Sequence, residues 1–193
     1  PVLTFWLQNL CYDPLLVFRQ NGEISFRLAT ACEPVKGFSQ WLITLRKDLR
    51  WSDGKPIDLT TVIAAFSQSR IAPIIAEIKT ESKTQLRILL SQEEAFFPFH
   101  LRGIFVLPSH STQPYRVVSG PYRLKRFRPD ATTFRFEPNP SFYREKDTNI
   151  DGLTLTCFTH PAHAVHAIER VKLDVLSIRA LQSFYQFSTT HPV

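Results

Sequence analysis

Methionine is absent from all 193 residues of this sequence. A natural reading frame begins with Met, so the chain is expected to be a processed product or an excised piece. Glycine is scarce, at 6 residues. That leaves little material for glycine-rich loops that cradle phosphates, and neither the P-loop nor the dinucleotide fingerprint occurs. No GxSxG nucleophile motif is present either. The residues therefore read as a non-enzyme with no cofactor. The 3 cysteines, Cys11, Cys32 and Cys157, show no CxxC spacing. One disulfide in an oxidising compartment and three buried thiols fit them equally well. No apolar run approaches the roughly 20 residues that a transmembrane helix needs. The opening Pro1-Val2-Leu3 is not a charged segment followed by an apolar one, so any signal peptide is expected to have been removed or left out.

What is present favours a packed core. Hydrophobic residues make up 44% and charged residues 21%, with 16 Phe and 3 Trp, so disorder is not expected and much of the core should be aromatic. The net charge is +6 and the pI about 9.4, which raises nucleic acid as a partner. The densest basic stretch holds Arg116, Arg123, Lys125, Arg126 and Arg128. It alternates with Tyr122, Leu124 and Phe127, as a strand with one solvated face would, so nucleic acid is not the favoured partner.

Along the chain, Leu10 to Phe18 is mostly apolar and is broken at Asp13-Pro14. Asn21-Gly22 supplies a turn before Ile24 to Leu28. Trp41, Ile43 and Leu45 alternate with polar neighbours and predict a half-buried strand. Trp51 to Pro56 is a turn cluster in which Asp53-Gly54 favours tight reversal. Asp58 predicts a helix N-cap. Leu59, Val62, Ile63 and Phe66 then fall on one helical face, with an end expected near Arg70 ahead of Pro73. Leu86, Ile88 and Leu90 predict another strand, Phe96 to Phe99 a loop or short helix, and Ile104 to Pro108 a short strand. Tyr122 to Arg128, Thr133 to Glu137 and Leu153 to Phe158 predict three antiparallel strands. Thr159 and Pro161 open a helix with Val165, Ile168 and Val171 inward, and Leu173 to Ile178 predicts a last strand. Strands and helices are interspersed without a repeating βαβ unit, so the fold class is α+β, a mixed α/β arrangement.

Three segments in this order resemble family 5 of the bacterial extracellular solute-binding proteins, the oligopeptide, dipeptide and nickel group. Leu45 to Arg70, LRKDLRWSDGKPIDLTTVIAAFSQSR, resembles the family's strand, Asp-Gly-x-Pro turn and capped helix. Ser119 to Glu145 resembles its Gly-Pro-Tyr hairpin, running on to Asn139-Pro140 and the aromatic pair Phe142-Tyr143. Ala164 to Ser177, with Lys172-Leu173-Asp174-Val175, resembles the helix and Asp-Ile strand that follow. Tyr12-Asp13-Pro14-Leu15-Leu16-Val17 fits the early helix-to-strand segment. Two departures stand out. The stretch between the first motif and Gly120 is short, and Val118-Ser119 stand where the family usually has Gly-Thr.

The resemblance implies a periplasmic-binding-protein type II-like lobe, a mixed sheet with flanking helices, over residues 1–193, with a second lobe outside this chain. It implies the substrate-binding component of an ABC importer, capturing oligopeptides or similar small solutes in an interlobe cleft and delivering them to a membrane permease. The implied location is periplasmic or anchored to the cell envelope. Binding by lobe closure needs both halves, so a lone lobe is expected to bind weakly. By the same resemblance, the positions after the Asp-Ile strand, Ser177, Ile178 and Arg179, contact the solute, and an N-terminal strand of Val2, Leu3 and Thr4 lies near the cleft. The motif residues themselves read as fold-determining. The short middle segment and basic charge also resemble a second group, cytoplasmic transcriptional regulators with a winged-helix domain ahead of a solute-binding-like effector domain. His160, His163 and His166 could share a helix face and hold a metal, but only Glu169 stands nearby as a carboxylate. A solvent-facing helix rim is the favoured reading, and no metal site is assigned.

Overall fold

A computed structural model describes residues 2–128, 131–144, 150–170 and 174–175. The chain divides into two compact units. The larger holds Pro1–Pro129 and Phe134–Thr154, and the smaller holds Asp130–Thr133 and Leu155–Val193.

The larger unit opens with helix α1, Val2–Cys11. Residues 2 to 4 are therefore helical, and the strand expected there does not form. Neither glycine nor proline interrupts the segment up to Cys11, and Leu7 and Cys11, one turn apart, are both buried, so the helical period carries back to its start. A short hairpin follows. Strand β1, Leu16–Phe18, pairs antiparallel with β2, Ile24–Phe26, across the Asn21-Gly22 turn.

A four-stranded sheet comes next, in the order β3-β4-β6-β5. Its strands are β3, Ala29–Lys36, β4, Gln40–Leu45, β5, Ile75–Thr80, and β6, Gln85–Leu90. Alternation in the two central strands matches the register. Trp41 faces Ile88 and Ile43 faces Leu86, and all four are buried. Burial of such side chains contributes about 2 kcal/mol each. Between β4 and β5 lies helix α2, Leu59–Ser67, whose Leu59, Val62 and Phe66 are buried. Asp58 caps it as expected: its carboxylate accepts from the Thr61 amide at 2.9 Å and the Thr61 hydroxyl at 2.8 Å. The helix stops three residues before Arg70, because the Ser69 amide and hydroxyl both bond the Phe66 carbonyl, at 3.0 and 2.6 Å, in place of a further helical turn.

Helix α3, Phe97–Leu101, is a single short piece held against β4 by Trp41, whose ring centre lies 5.5 Å from that of Phe97. The strand expected at Ile104 to Pro108 is absent. Ile104 and Val106 are buried, but Phe105 bridges only to Pro14, and proline has no N–H with which to extend a ladder. Strands β7, Tyr122–Leu124, β8, Thr133–Pro138, and β9, Leu153–Thr156, form a three-stranded sheet in that order. Strand β7 is shorter than expected and ends where the Arg116 guanidinium donates to the Lys125 carbonyl.

In the smaller unit the Cys157 amide bonds the Thr132 carbonyl at 2.7 Å. Helix α4, Pro161–Glu169, starts with proline in its first turn, where a missing N–H costs nothing. Ala164 is its buried residue at 8% exposure, while Val165 and Ile168 are half-buried. Val171 and most of the strand expected at Leu173 to Ile178 lie outside the described residues. Asp174 and Val175 are described and are not in a strand.

Candidate functional site

Asp13, Ser52, Ser119 and Asn139 are the buried polar residues among those described, and all four belong to one junction. They arrive from three stretches that the sequence resemblance singled out, with Ser119 and Asn139 both from the hairpin stretch of Ser119 to Glu145. Ser52, in the Trp51-to-Pro56 turn, donates its amide to the Val118 carbonyl at 2.9 Å. Its hydroxyl accepts from the Val118 amide at 3.1 Å and donates to the Arg116 carbonyl at 3.1 Å. The Ser119 hydroxyl accepts from the Asp13 amide at 3.1 Å. The Asn139 side-chain amide donates to the Gly120 carbonyl at 2.8 Å, and its oxygen accepts from the Ser141 amide at 2.9 Å. Tyr143 donates its phenolic hydroxyl to Asp13 Oδ2 at 2.6 Å. Such buried groups are tolerable only when fully bonded, since an unmet donor or acceptor costs about 1–3 kcal/mol.

Gly120 is the narrowest point of the junction. Its amide donates to the Cys11 carbonyl at 2.8 Å. A Cβ added here would lie 2.7 Å from the Cys11 carbonyl carbon and 2.9 Å from the Tyr12 nitrogen, so only glycine admits this backbone approach. The end of α1 is fixed from a second side by Tyr12, whose hydroxyl accepts from the Tyr115 amide at 3.1 Å. Tyr115 itself carries a positive φ of 61°, a conformation uncommon for a non-glycine residue. Gly54 in the neighbouring turn has φ +85°, which fits the tight reversal there.

Three arginines surround the Asp13–Tyr143 pair. The Arg46 guanidinium lies over the Tyr143 ring, 4.9 Å from its centre, and donates to the carbonyls of Arg27 at 2.5 Å and Phe26 at 3.5 Å. Burial pushes the Asp13 carboxyl above its ordinary range, against the Tyr143 hydrogen bond and the charges of Arg27, Arg144 and Arg46. Burial likewise raises the Tyr143 phenol, with the Asp13 charge adding to it. Desolvation pushes the Cys11 thiol up to about 12, opposed by a backbone hydrogen bond. A thiol held there is protonated at neutral pH and is no nucleophile. The junction is built to clamp segments together.

The other candidate residues do not gather at this junction. Val2, Leu3 and Thr4 form the first turn of α1, and Thr4 is exposed. Ser177, Ile178 and Arg179 lie outside the described residues. The basic stretch is partly neutralised: Arg123 pairs with Glu137 at 2.9 Å and Lys125 with the same carboxylate at 3.8 Å. His160 and His163 meet edge-on with ring centres 5.7 Å apart, and His166 Nδ1 lies 3.3 Å from Glu169. Among the described residues no three His, Cys, Asp or Glu side chains converge as metal ligands. None of the described helices is long and apolar enough to cross a membrane.

What the sequence reading missed was the convergence. Asp13 entered it as a break in an apolar run and as part of the early helix-to-strand segment, and Tyr143 as half of an aromatic pair, with nothing linking the two. A lone acid between Tyr12 and Pro14-Leu15-Leu16 was the available signal, because a carboxyl folded into such surroundings must find a partner.

This arrangement of sheets and flanking helices is the periplasmic-binding-protein type II fold. It superposes on the oligopeptide-binding protein AppA from Bacillus subtilis in complex with a nonapeptide, with a TM-score of 0.78, 14% identity, and coverage of 94% of this chain and 40% of that one. It also superposes on NikZ from Campylobacter jejuni in complex with Ni(L-His), with a TM-score of 0.75, 24% identity, and coverage of 86% and 37%. The chain belongs to the bacterial extracellular solute-binding proteins, family 5, whose model matches residues 23–192. Among curated proteins, the nickel-binding periplasmic protein of Escherichia coli (strain K12) is 25% identical over 94% of this chain. The chain spans 39% of that relative's length.

Proposed function

We propose that this chain is one lobe of the substrate-binding component of an ABC importer, which captures oligopeptides or similar small solutes in a cleft and hands them to a membrane permease outside the cytoplasm. The observation that carries this reading is the family match across residues 23–192, supported by a curated relative that is itself periplasmic. These matches favour transport over the cytoplasmic regulator. The junction suits the role of a scaffold: it fixes the end of α1, the Trp51-to-Pro56 turn and the hairpin after Gly120 as one body, leaving solute contacts to the cleft. Residues 2–4 and 177–179 remain the candidate contacts within this chain. Main-chain bonding to an extended solute is indifferent to side-chain identity, which fits peptides of varied sequence. A nickel complex is the second reading, favoured by the 25% identity to the nickel-binding relative.

Calorimetric titration of the full-length protein with a peptide library, and separately with Ni(II)–histidine, tests both readings. Saturable heat with peptides is expected. Heat with the nickel complex alone would select the second reading, and silence with both, joined to specific retention of DNA, would overturn transport.

A further inference from the structure

We propose that the free edge of strand β5 is a docking surface for a second copy of this chain, which adds its own β5 antiparallel about a two-fold axis at Ile78. Strand β5 closes one side of the four-stranded sheet, with β6 as its partner strand among the described residues. Its burial is that of an open edge. Ile75 and Ile78 are half-buried, and Ala76, Glu77, Lys79 and Thr80 are exposed. Such an edge presents unpaired N–H and C=O groups to which another strand can bond.

Backbone phase picks out the residues. The Glu81 amide donates to the Gln85 carbonyl at 3.0 Å, so Glu81 turns its backbone groups towards β6. In an antiparallel ladder that direction alternates from residue to residue. Lys79 and Glu77, opposite Arg87 and Leu89, therefore also face β6, and Thr80 and Ile78 direct their groups outward. The register shift falls between Ile75 and Glu77 and leaves this phase intact from Glu77 to Thr80. Two copies meeting at Ile78 exchange both of its backbone bonds, N–H to C=O in each direction.

Side-chain charge fixes orientation and register. With Ile78 opposite its own copy, Glu77 stands opposite the partner's Lys79, and the reverse pair forms by symmetry. These are non-hydrogen-bonded positions, where opposing side chains come closest. In the single chain Lys79 Nζ already lies 3.1 Å from Glu77 Oε2, and the two side chains are 51% and 53% exposed, so both charges share a face and can be reached. Arg87, opposite Lys79 on β6, is occupied by Glu81. Sliding the copies by two residues sets Lys79 against Lys79 or Glu77 against Glu77, and a parallel copy in register does both. A lysine on an edge usually wards off other strands; here it meets an acid in one arrangement of an identical chain. The opposite edge, β3, carries Pro34, which has no N–H to offer. The β5 contact covers little area, so the association is weak and transient. It uses none of the candidate solute contacts and stands apart from the transport reading.

Sedimentation velocity over a concentration series tests the docking. The weight-average coefficient of the parent chain is expected to climb towards that of a dimer. Lys79→Glu sets acid against acid at both symmetric positions and should weaken association about tenfold, as should Glu77→Lys. The double variant recreates the pairs with signs exchanged and should return to within about threefold of the parent. Ile78→Pro removes an outward N–H without touching the β6 ladder and should abolish the dimer. A coefficient that stays flat up to about 1 mM would overturn the proposal, whether or not any variant folds. So would a double variant that associates no more tightly than either single one, or a dimer untouched by Ile78→Pro.

Discussion

The junction around Asp13 and the histidine face of α4 are both clusters of hydrogen-bonded polar side chains, and they differ in what surrounds them. Asp13 is 6% exposed and bonded at 2.6 Å to a residue 130 positions away. The His166 side chain is 59% exposed and lies 3.3 Å from Glu169, three residues along its own helix. In the first case, water has been replaced by partners from distant segments, so each bond also fixes where those segments lie. In the second, water competes for every contact, and the pair restates a helix that exists without it. Burial decides which polar residues determine the fold, more than their number or spacing does.

That contrast can be broken most forcefully at Gly120. Replacing it with alanine drives a Cβ to 2.7 Å from the Cys11 backbone, where no flexible side-chain end can yield. A loss of about 3 kcal/mol is expected, read as a lower urea midpoint, and an unchanged midpoint would show that the close approach is not required. Next comes Tyr143→Phe, which strips the Asp13 carboxyl of its short bond and should cost about 2 kcal/mol. A loss under about 0.5 kcal/mol would place this pair with the surface contacts of α4.

The same pair predicts a pH dependence with a definite sign. Burial holds folded Asp13 above its ordinary value of 3.8, so the folded state favours the protonated carboxyl. That contribution is full below 3.8 and is lost as pH rises through the elevated folded value. Asp13→Asn should therefore show a flatter decline in urea midpoint than the parent protein as pH rises from 3.8. A steeper decline would reverse the assignment. The smallest effect belongs to α4: His166→Ala should move the midpoint by less than about 0.5 kcal/mol, and a larger loss would mean that the exposed pair has structural weight.

The central elements of the fold were legible because their burial alternates or turns with a single period. Strand β4 and strand β6 alternate cleanly, and α2 carries its cap and its apolar face in plain sequence. The edge strands were not. Strand β5 exposes four of its six residues in the order seen in its burial pattern, and β3 contains Pro34, which a sheet tolerates at its edge. The run at Ile104 to Pro108 misled in the opposite direction, since buried coil and short strand share the same apolar composition. Of the junction, Gly120 and the turn at Gly54 were readable as backbone demands. The Asp13–Tyr143 bond was not, because no local pattern links residues so far apart. The expected solute contacts are the least legible part, having come from positional matching rather than from any motif.

That distance along the chain has a kinetic consequence. Closing a loop of some 130 residues carries an entropic cost before any bond within it is rewarded, and contacts of such span slow folding. Helix α1 is made before Gly120 and Tyr143, which fasten its end and follow more than a hundred residues later. The end of α1 must wait for its own lock, and until the Gly-Pro-Tyr hairpin has formed, Cys11 lacks the backbone that Gly120 brings against it.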